Sequence, residues 1–228
     1  MKQMALDIGL HSVPSLESFF AGPNSAALQH LKLWTAAQTP SPVPTYLWGD
    51  SGSGKSHLLK AAHAALKSHG LSVGWLDAQT SLHAPFDESW TAVLMDDVHL
   101  FNLEQQAMAF NWFVNALTPK SGLPRWVLAA GALPPSDLKL RDDLRSRLGW
   151  GHVFALQVLN DSERRAVLRQ EADSRGLFLG DEVMTYMLTR FSRDLSSLMS
   201  LLDHLDQFAL QTQRAITIPL IKSMLEST

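Results

Sequence analysis

The residues with the clearest chemical meaning are Gly49-Asp50-Ser51-Gly52-Ser53-Gly54-Lys55-Ser56. They fit G-x-x-x-x-G-K-[ST], the spacing of a phosphate-binding P-loop. Gly49 and Gly54 let the backbone wrap closely at little steric cost, and the loop amides then turn inward as an anion nest. Lys55 reaches β- and γ-phosphates, and the Ser56 hydroxyl can ligate Mg²⁺. A helix must follow, because its N-terminus adds partial positive charge toward the phosphates. The candidate nucleotide-binding set therefore runs from Gly49 through His57.

A second cluster is Asp96-Asp97, directly after the apolar run Ala92-Val93-Leu94-Met95. An acid at the carboxyl end of a buried strand beside a P-loop can hold Mg²⁺, usually through water, which is the task given to Asp96. Asp97 could orient or polarise an attacking water. The alternative is a pair of acids capping a helix before Leu100. Arg145-Ser146-Arg147-Leu148-Gly149-Trp150-Gly151 places arginines before a glycine-rich turn. They are either solvated or fingers directed at a neighbour's γ-phosphate, and a finger is worth about 10³–10⁵ in rate. Arg193 follows Ser192, the expected N-cap of a helix. A cation there opposes the helix dipole by about 0.3–1 kcal/mol, partly offset by Asp194, which suggests another partner such as a bound phosphate; a simply exposed arginine is the alternative.

The elements that must position these groups are readable from pattern. Thr45-Tyr46-Leu47-Trp48 reads as a strand before the loop, and residues 57–66 as a helix that Gly70 can end. Leu71–Leu76, Ala92–Met95 and Arg125–Ala130 read as further strands, with a helix over Leu103–Leu117 stopped by Pro119. This alternation predicts a mainly parallel sheet covered by helices. After about Gln157 the pattern turns all-helical. Asn160-Asp161-Ser162-Glu163 starts one helix, ended by Gly176. Gly180-Asp181-Glu182 starts a second, Ser192 a third reaching about Gln213, and a fourth follows Pro219. The expected organisation is a tail over 1–12, an α/β core over 13–156 and a helical lid over 157–228.

Bulk composition bounds the function. The 228 residues are 46% hydrophobic and 18% charged, enough for a proper core, and the formal net charge is −3. That balance argues against tight, non-specific DNA binding over the whole surface. With no cysteine, disulfides and thiolate metal sites are excluded. The nine histidines lack metal-ligand spacing. No secretory signal or membrane-spanning run is visible, so a cytoplasmic location is expected.

Taken in order, the P-loop, the box at 93–97, Ser146-Arg147-Leu148-Gly149-Trp150-Gly151 and Ser192-Arg193-Asp194-Leu195 resemble the AAA+ core of the bacterial DnaA-related proteins from about residue 13 onward. The plan without the initiator's long N-terminal and DNA-binding domains is similar to the Hda-type regulators, as are Phe154–Asp161, Leu202-Asp203-His204-Leu205-Asp206 and Ala215–Pro219. Gln3-Met4-Ala5-Leu6-Asp7-Ile8 is similar to the peptide by which such proteins hold the β sliding clamp. Met4, Leu6 and Ile8 alternate, so an extended peptide puts them on one side, facing an apolar groove, and Gln3 supplies side-chain hydrogen bonds.

The resemblance implies regulatory inactivation of DnaA. The DNA-loaded clamp of DNA polymerase III would recruit the chain through residues 3–8. Arg147, at the family's finger position, would act on ATP held by DnaA. DNA would be met mainly through the clamp, and exposed AAA+ faces allow self-association. ADP or ATP with Mg²⁺ would be held by Lys55, Ser56 and Arg193, the last in the sensor 2 position. Ala129-Ala130-Gly131-Ala132 departs from the family, whose sensor 1 strand usually ends in polar residues. A weak intrinsic ATPase is therefore expected, in a protein acting mainly on DnaA. A DnaC-like, ATP-switched helicase loader that binds single-stranded DNA is the alternative. A small-molecule P-loop kinase and an adaptor with a vestigial nucleotide site are two others.

Overall fold

The computed structural model describes residues 14–81, 84–119, 122–191 and 195–226. One compact unit ends at Val158 and a second begins at Leu159. In the first, five strands, β1 (Thr45–Trp48), β2 (Val73–Leu76), β3 (Ala92–Met95), β4 (Trp126–Gly131) and β5 (His152–Ala155), form a sheet in the order β2-β3-β4-β1-β5. All four pairings are parallel, so the expected parallel sheet is found. β3 and β4 are buried along their whole length. Sheets covered on both faces read as continuous apolar runs of this kind.

Strand side chains alternate between two cores, as the two-residue period requires. Leu47, Leu94, Leu128 and Ala130 face α1 (Ser25–Ala36) and α2 (Lys55–Ser68), packing on Leu31, Trp34, Leu58 and Leu59. Tyr46, Val93, Met95 and Ala129 face α3 (Leu103–Leu117) and α4 (Asp142–Leu148), packing on Trp112, Phe113, Leu144 and Leu148. α3 starts with a reciprocal capping box between Asn102 and Gln105, an arrangement worth about 0.5–2 kcal/mol. Buried Arg125 ties the approach to β4 to the segment before β3: its guanidinium donates to the carbonyls of Trp90, Asn115 and Glu88 and to the Glu88 carboxylate.

Two helices went unread in the sequence. α1 lies in a stretch to which no element was assigned. α4 was read as arginines before a turn, and is instead a short helix capped by Gly149.

The second unit is helical: α5 (Asp161–Ser174), α6 (Asp181–Arg190), α7 (Leu195–Thr212) and α8 (Ile218–Glu226). Asn160 and Glu163 form the capping box of α5, and Gly176 follows it at φ +71°, the left-handed geometry that ends helices. Pro219 sits inside the first turn of α8, where its missing N–H is no loss. Leu168, Met184, Met187, Leu202, Leu205, Leu220 and Ile221 build this unit's own core. Arg175 joins α5 to α7, with ion pairs to Glu171 and Asp203. Among the described residues no helix is long and apolar enough to cross a membrane.

α1 meets β1 and the edge strand β5 through His30, whose Nε2 lies 2.8 Å from the Thr45 hydroxyl of β1. Its ring packs 4.7 Å from His152 and 4.9 Å from Phe154, centroid to centroid. Burial, aided by the His152 charge, lowers the His30 pKa below its usual 6.5. The folded protein then binds fewer protons than the unfolded chain just below that pH, so stability is full above 6.5 and falls as pH drops toward the lower folded value. His30→Gln is expected to flatten this loss, read as a smaller difference between urea midpoints measured on either side of pH 6.5.

Candidate functional site

The P-loop connects the end of β1 to α2 and needs its glycines. Gly49, Gly52 and Gly54 have φ of +152°, +79° and +95°, which side chains with a Cβ rarely adopt. A Cβ on Gly49 would collide with the Leu156 carbonyl oxygen, and one on Gly54 would lie 2.7 Å from the Phe19 ring. Ser53 is 4% exposed, and its hydroxyl has no protein partner. Buried hydroxyls are nearly always hydrogen-bonded, so this orphan oxygen fits a loop shaped to receive a phosphate oxygen. Asp50 and Ser51 are at the exposed turn of the loop.

Lys55, the first residue of α2, is 7% exposed. Its Nζ donates to the carbonyls of Gly49 at 2.7 Å and Asp50 at 2.9 Å. Burial lowers its pKa, and the charges of Asp97, Asp96 and Asp50 work against that shift. Asp96, at the end of β3, is also 7% exposed. Burial raises its carboxyl above the usual range; a hydrogen bond with Ser56 opposes the rise and the charge of Asp97 adds to it. The structure thus brings together Lys55, Ser56, Asp96 and Asp97, from two strand ends adjoining β4. A lysine, a hydroxyl and two carboxylates suit a Mg²⁺-nucleotide, in which metal and phosphates neutralise the carboxylates and the ammonium.

Asp97 is the first residue after Asp96 to leave the strand direction, at φ +48° and ψ +44°. Aspartate tolerates this left-handed region better than most residues, at some cost in strain, and such strain clusters at functional sites. The Asp97 amide donates to Asp96 Oδ1 at 3.0 Å, while its half-exposed carboxylate lies 3.9 Å from His99 Nδ1. The acids do precede a short helical turn over Val98–Leu100, but no side-chain cap is made there.

The strand between the two halves of the site has no polar end. Ala130 is fully buried, and a Cβ on Gly131 would collide with the Tyr46 hydroxyl. That hydroxyl is already committed, donating to the Leu133 carbonyl at 2.8 Å, and burial raises its pKa so that it stays protonated. The alanines noted in the sequence therefore leave β4 without a side-chain group to bond a phosphate or water.

Two contributions were missed. Phe19 covers Gly54 and packs its ring 5.5 Å from that of His57. Asn24 joins that segment to the chain after β5: its amide nitrogen donates to the Gln157 carbonyl at 2.9 Å, and its oxygen accepts from the Gln157 amide at 2.8 Å. Phe19-Phe20-Ala21-Gly22-Pro23-Asn24 did carry a signal, since glycine, proline and asparagine together mark a tight entry to a helix.

The arginines sit apart from the P-loop cluster, on and before α4. Arg141 pairs with Asp143 at 2.7 Å and Arg145 with Asp142 at 2.7 Å. Arg147 is half-buried and has no carboxylate within ion-pair distance among the described residues. Its guanidinium instead lies 5.2 Å from the centroid of Phe110 and 5.9 Å from that of Phe113, both on α3. Such a contact is worth about 0.5–1 kcal/mol at an exposed site. The side chain is held, but weakly enough to be released. Arg193, Gln3, Met4, Leu6 and Ile8 lie outside the described residues.

A P-loop on a five-stranded parallel sheet, an acid pair at the adjoining strand end and a separate helical unit define an AAA+ protein. Solved structures agree on the fold. The chain matches domain III of the Thermotoga maritima replication initiation protein DnaA with a TM-score of 0.75, at 20% identity over 95% of this chain and 97% of that one. It matches AMPPCP-bound DnaA from Aquifex aeolicus at 0.70, with 21% identity over 88% and 73%. The Thermotoga maritima RuvB Holliday junction branch migration motor follows at 0.66, with 16% identity over 94% and 72%. An uncharacterized protein of Haemophilus influenzae is 33% identical over 98% of both chains. The Hda lid domain model matches residues 161–225. The chain belongs to the Hda-type, DnaA-related family of AAA+ proteins.

The raised carboxyl of Asp96 has a measurable consequence. Its ionised form is penalised in the folded protein, so the penalty is present at neutral pH and is relieved as pH falls through the raised value. Asp96→Asn removes it at neutral pH. The variant is expected to melt at a higher temperature than wild type without nucleotide, and to lose the extra stabilisation that Mg²⁺-nucleotide gives wild type. Calorimetric melts with and without Mg²⁺-ADP check both signs.

Proposed function

We propose that this chain inactivates DnaA by presenting Arg147 to the ATP that DnaA holds, while tethered to the DNA-loaded β sliding clamp of DNA polymerase III through Gln3, Met4, Leu6 and Ile8. In the reaction, a water oxygen bonds to the γ-phosphorus as the bond from that phosphorus to the β–γ bridging oxygen breaks. ADP, inorganic phosphate and a proton result. Arg147 is unchanged; its charge stabilises the negative oxygens of the transferring group. DNA is met mainly through the clamp.

The observation that carries this reading is the unequal treatment of three neighbouring arginines. Arg141 and Arg145 are neutralised within their own chain, whereas Arg147 rests on an aromatic ring. The ring holds the Arg147 side chain and leaves its charge uncancelled, whereas a carboxylate would neutralise it. Membership of the Hda-type family supports DnaA as the partner.

The chain's own nucleotide, ADP or ATP, serves in this reading to fix its form. Residues 49–57 would take the phosphates, with Lys55 and Arg193 as the cations, Ser56 and Asp96 as Mg²⁺ ligands, and Asp97 beside the γ-position. Phe19 offers a ring against which a planar base can pack. The apolar end of β4 favours slow intrinsic hydrolysis, in a cytoplasmic bacterial protein whose main effect is on DnaA.

A reconstituted assay with DnaA–ATP, clamp loaded on DNA and this protein tests each part. Arg147→Ala is expected to abolish stimulated hydrolysis while clamp binding stays at the wild-type level; wild-type stimulation by this variant would remove the finger assignment. Replacing Gln3 and Leu6 together by alanine is expected to abolish clamp binding with no change in melting temperature. Retained binding in a pull-down on loaded clamp would move the tether elsewhere in the chain.

A further inference from the structure

α4 is joined to α3 at two points one turn apart. Gln106, buried on α3, accepts a hydrogen bond from the Arg141 amide at 2.9 Å, and its own amide donates to the Phe101 carbonyl at 2.8 Å. This fixes where α4 begins. Phe110 follows one turn later on the same face of α3, and its ring receives two guanidiniums, that of Arg141 at 5.8 Å and that of Arg147 at 5.2 Å. At the far end of α4 a Cβ on Gly149 would lie 3.2 Å from Pro135, so this end of the helix packs closely on the segment before it.

The two cations are not equivalent. Arg141 is paired with Asp143, so its charge is largely cancelled and does not repel Arg147 across the ring. Phe113 is fully buried and forms a fixed wall at 5.9 Å. Phe110 is only half-buried. Among the described rings near Arg147, the accessible negative π face is that of Phe110, and it can set where the charge rests.

We infer that Phe110 is a positioning residue for Arg147, a π platform that aims the guanidinium without neutralising it. This rests on the finger reading of Arg147. A carboxylate in that place would cancel the charge that a partner's phosphates require. A bare aliphatic surface would leave the long side chain free among many rotamers, and that entropy would be lost at the moment of engagement. An aromatic face restricts the side chain and still leaves the full positive charge to give.

The test compares variants at position 110 in the reconstituted assay, with Arg147→Ala run beside them. Phe110→Leu keeps an apolar side chain and loses the π face; stimulated DnaA hydrolysis is expected to fall by about threefold to tenfold, with clamp binding unchanged. Phe110→Tyr keeps the face and should stimulate like wild type. To separate charge–ring attraction from packing, pentafluorophenylalanine is introduced at 110: the shape stays, the negative face is lost, and stimulation should fall as it does for Phe110→Leu. If the fluorinated protein stimulates fully while Arg147→Ala is inactive, the platform is wrong and the finger stands. Were Arg147→Ala to stimulate like wild type, the finger reading would fall first and the platform with it.

Discussion

One ammonium and one carboxylate, both nearly out of water, set the terms for the α/β unit. Lys55 and Asp96 are each 7% exposed, and taking an ion from water costs several kcal/mol unless other groups replace the solvent. The replacements are all local: two loop carbonyls for Lys55, and Ser56 with the Asp97 amide for Asp96. They hold only while the loop is folded tightly and the strand ends are level. The glycines at positive φ provide the first condition. The register of parallel strands buried on both faces provides the second.

The arginine surface follows the opposite electrostatic logic. Near the P-loop, burial raises the cost of charge, and neighbouring groups are arranged to bear it. On α4 the charges are near solvent, where pairing contributes little to stability. What the pairs do there is sort the arginines: two are neutralised, and one keeps its charge against a ring. The connection between the regions is mechanical. α3 begins just beyond the acid pair, and its buried Gln106 holds the start of α4. The helix that carries Arg147 and the carboxylates are thus both held by the run of chain from β3 to α3.

What was legible in the sequence was what is contiguous in it. Strand, loop and helix at 45–68 follow one another without interruption, so glycine spacing and apolar period sufficed. The acid pair could be placed because an apolar run led into it. The capping residues Asn160 and Glu163 and the glycine after α5 read directly as helix limits. What was hidden depends on residues far apart in the chain. No local pattern tells that Phe19 will cover Gly54, that Asn24 will pair with the backbone of Gln157, or that Phe110 will lie under Arg147. α4 was missed because a seven-residue helix has too few turns to show a period. α1 escaped for a different reason: Pro23 before it and Pro40, Pro42 and Pro44 after it are turn signals on both sides, while only Leu28, Leu31 and Trp34 mark its buried face.

The helical unit's private core has an evolutionary consequence. Leu168, Met184, Leu202 and Leu220 pack within that unit. Its apolar filling can drift, one volume-conserving exchange at a time, so long as total volume and pattern are kept.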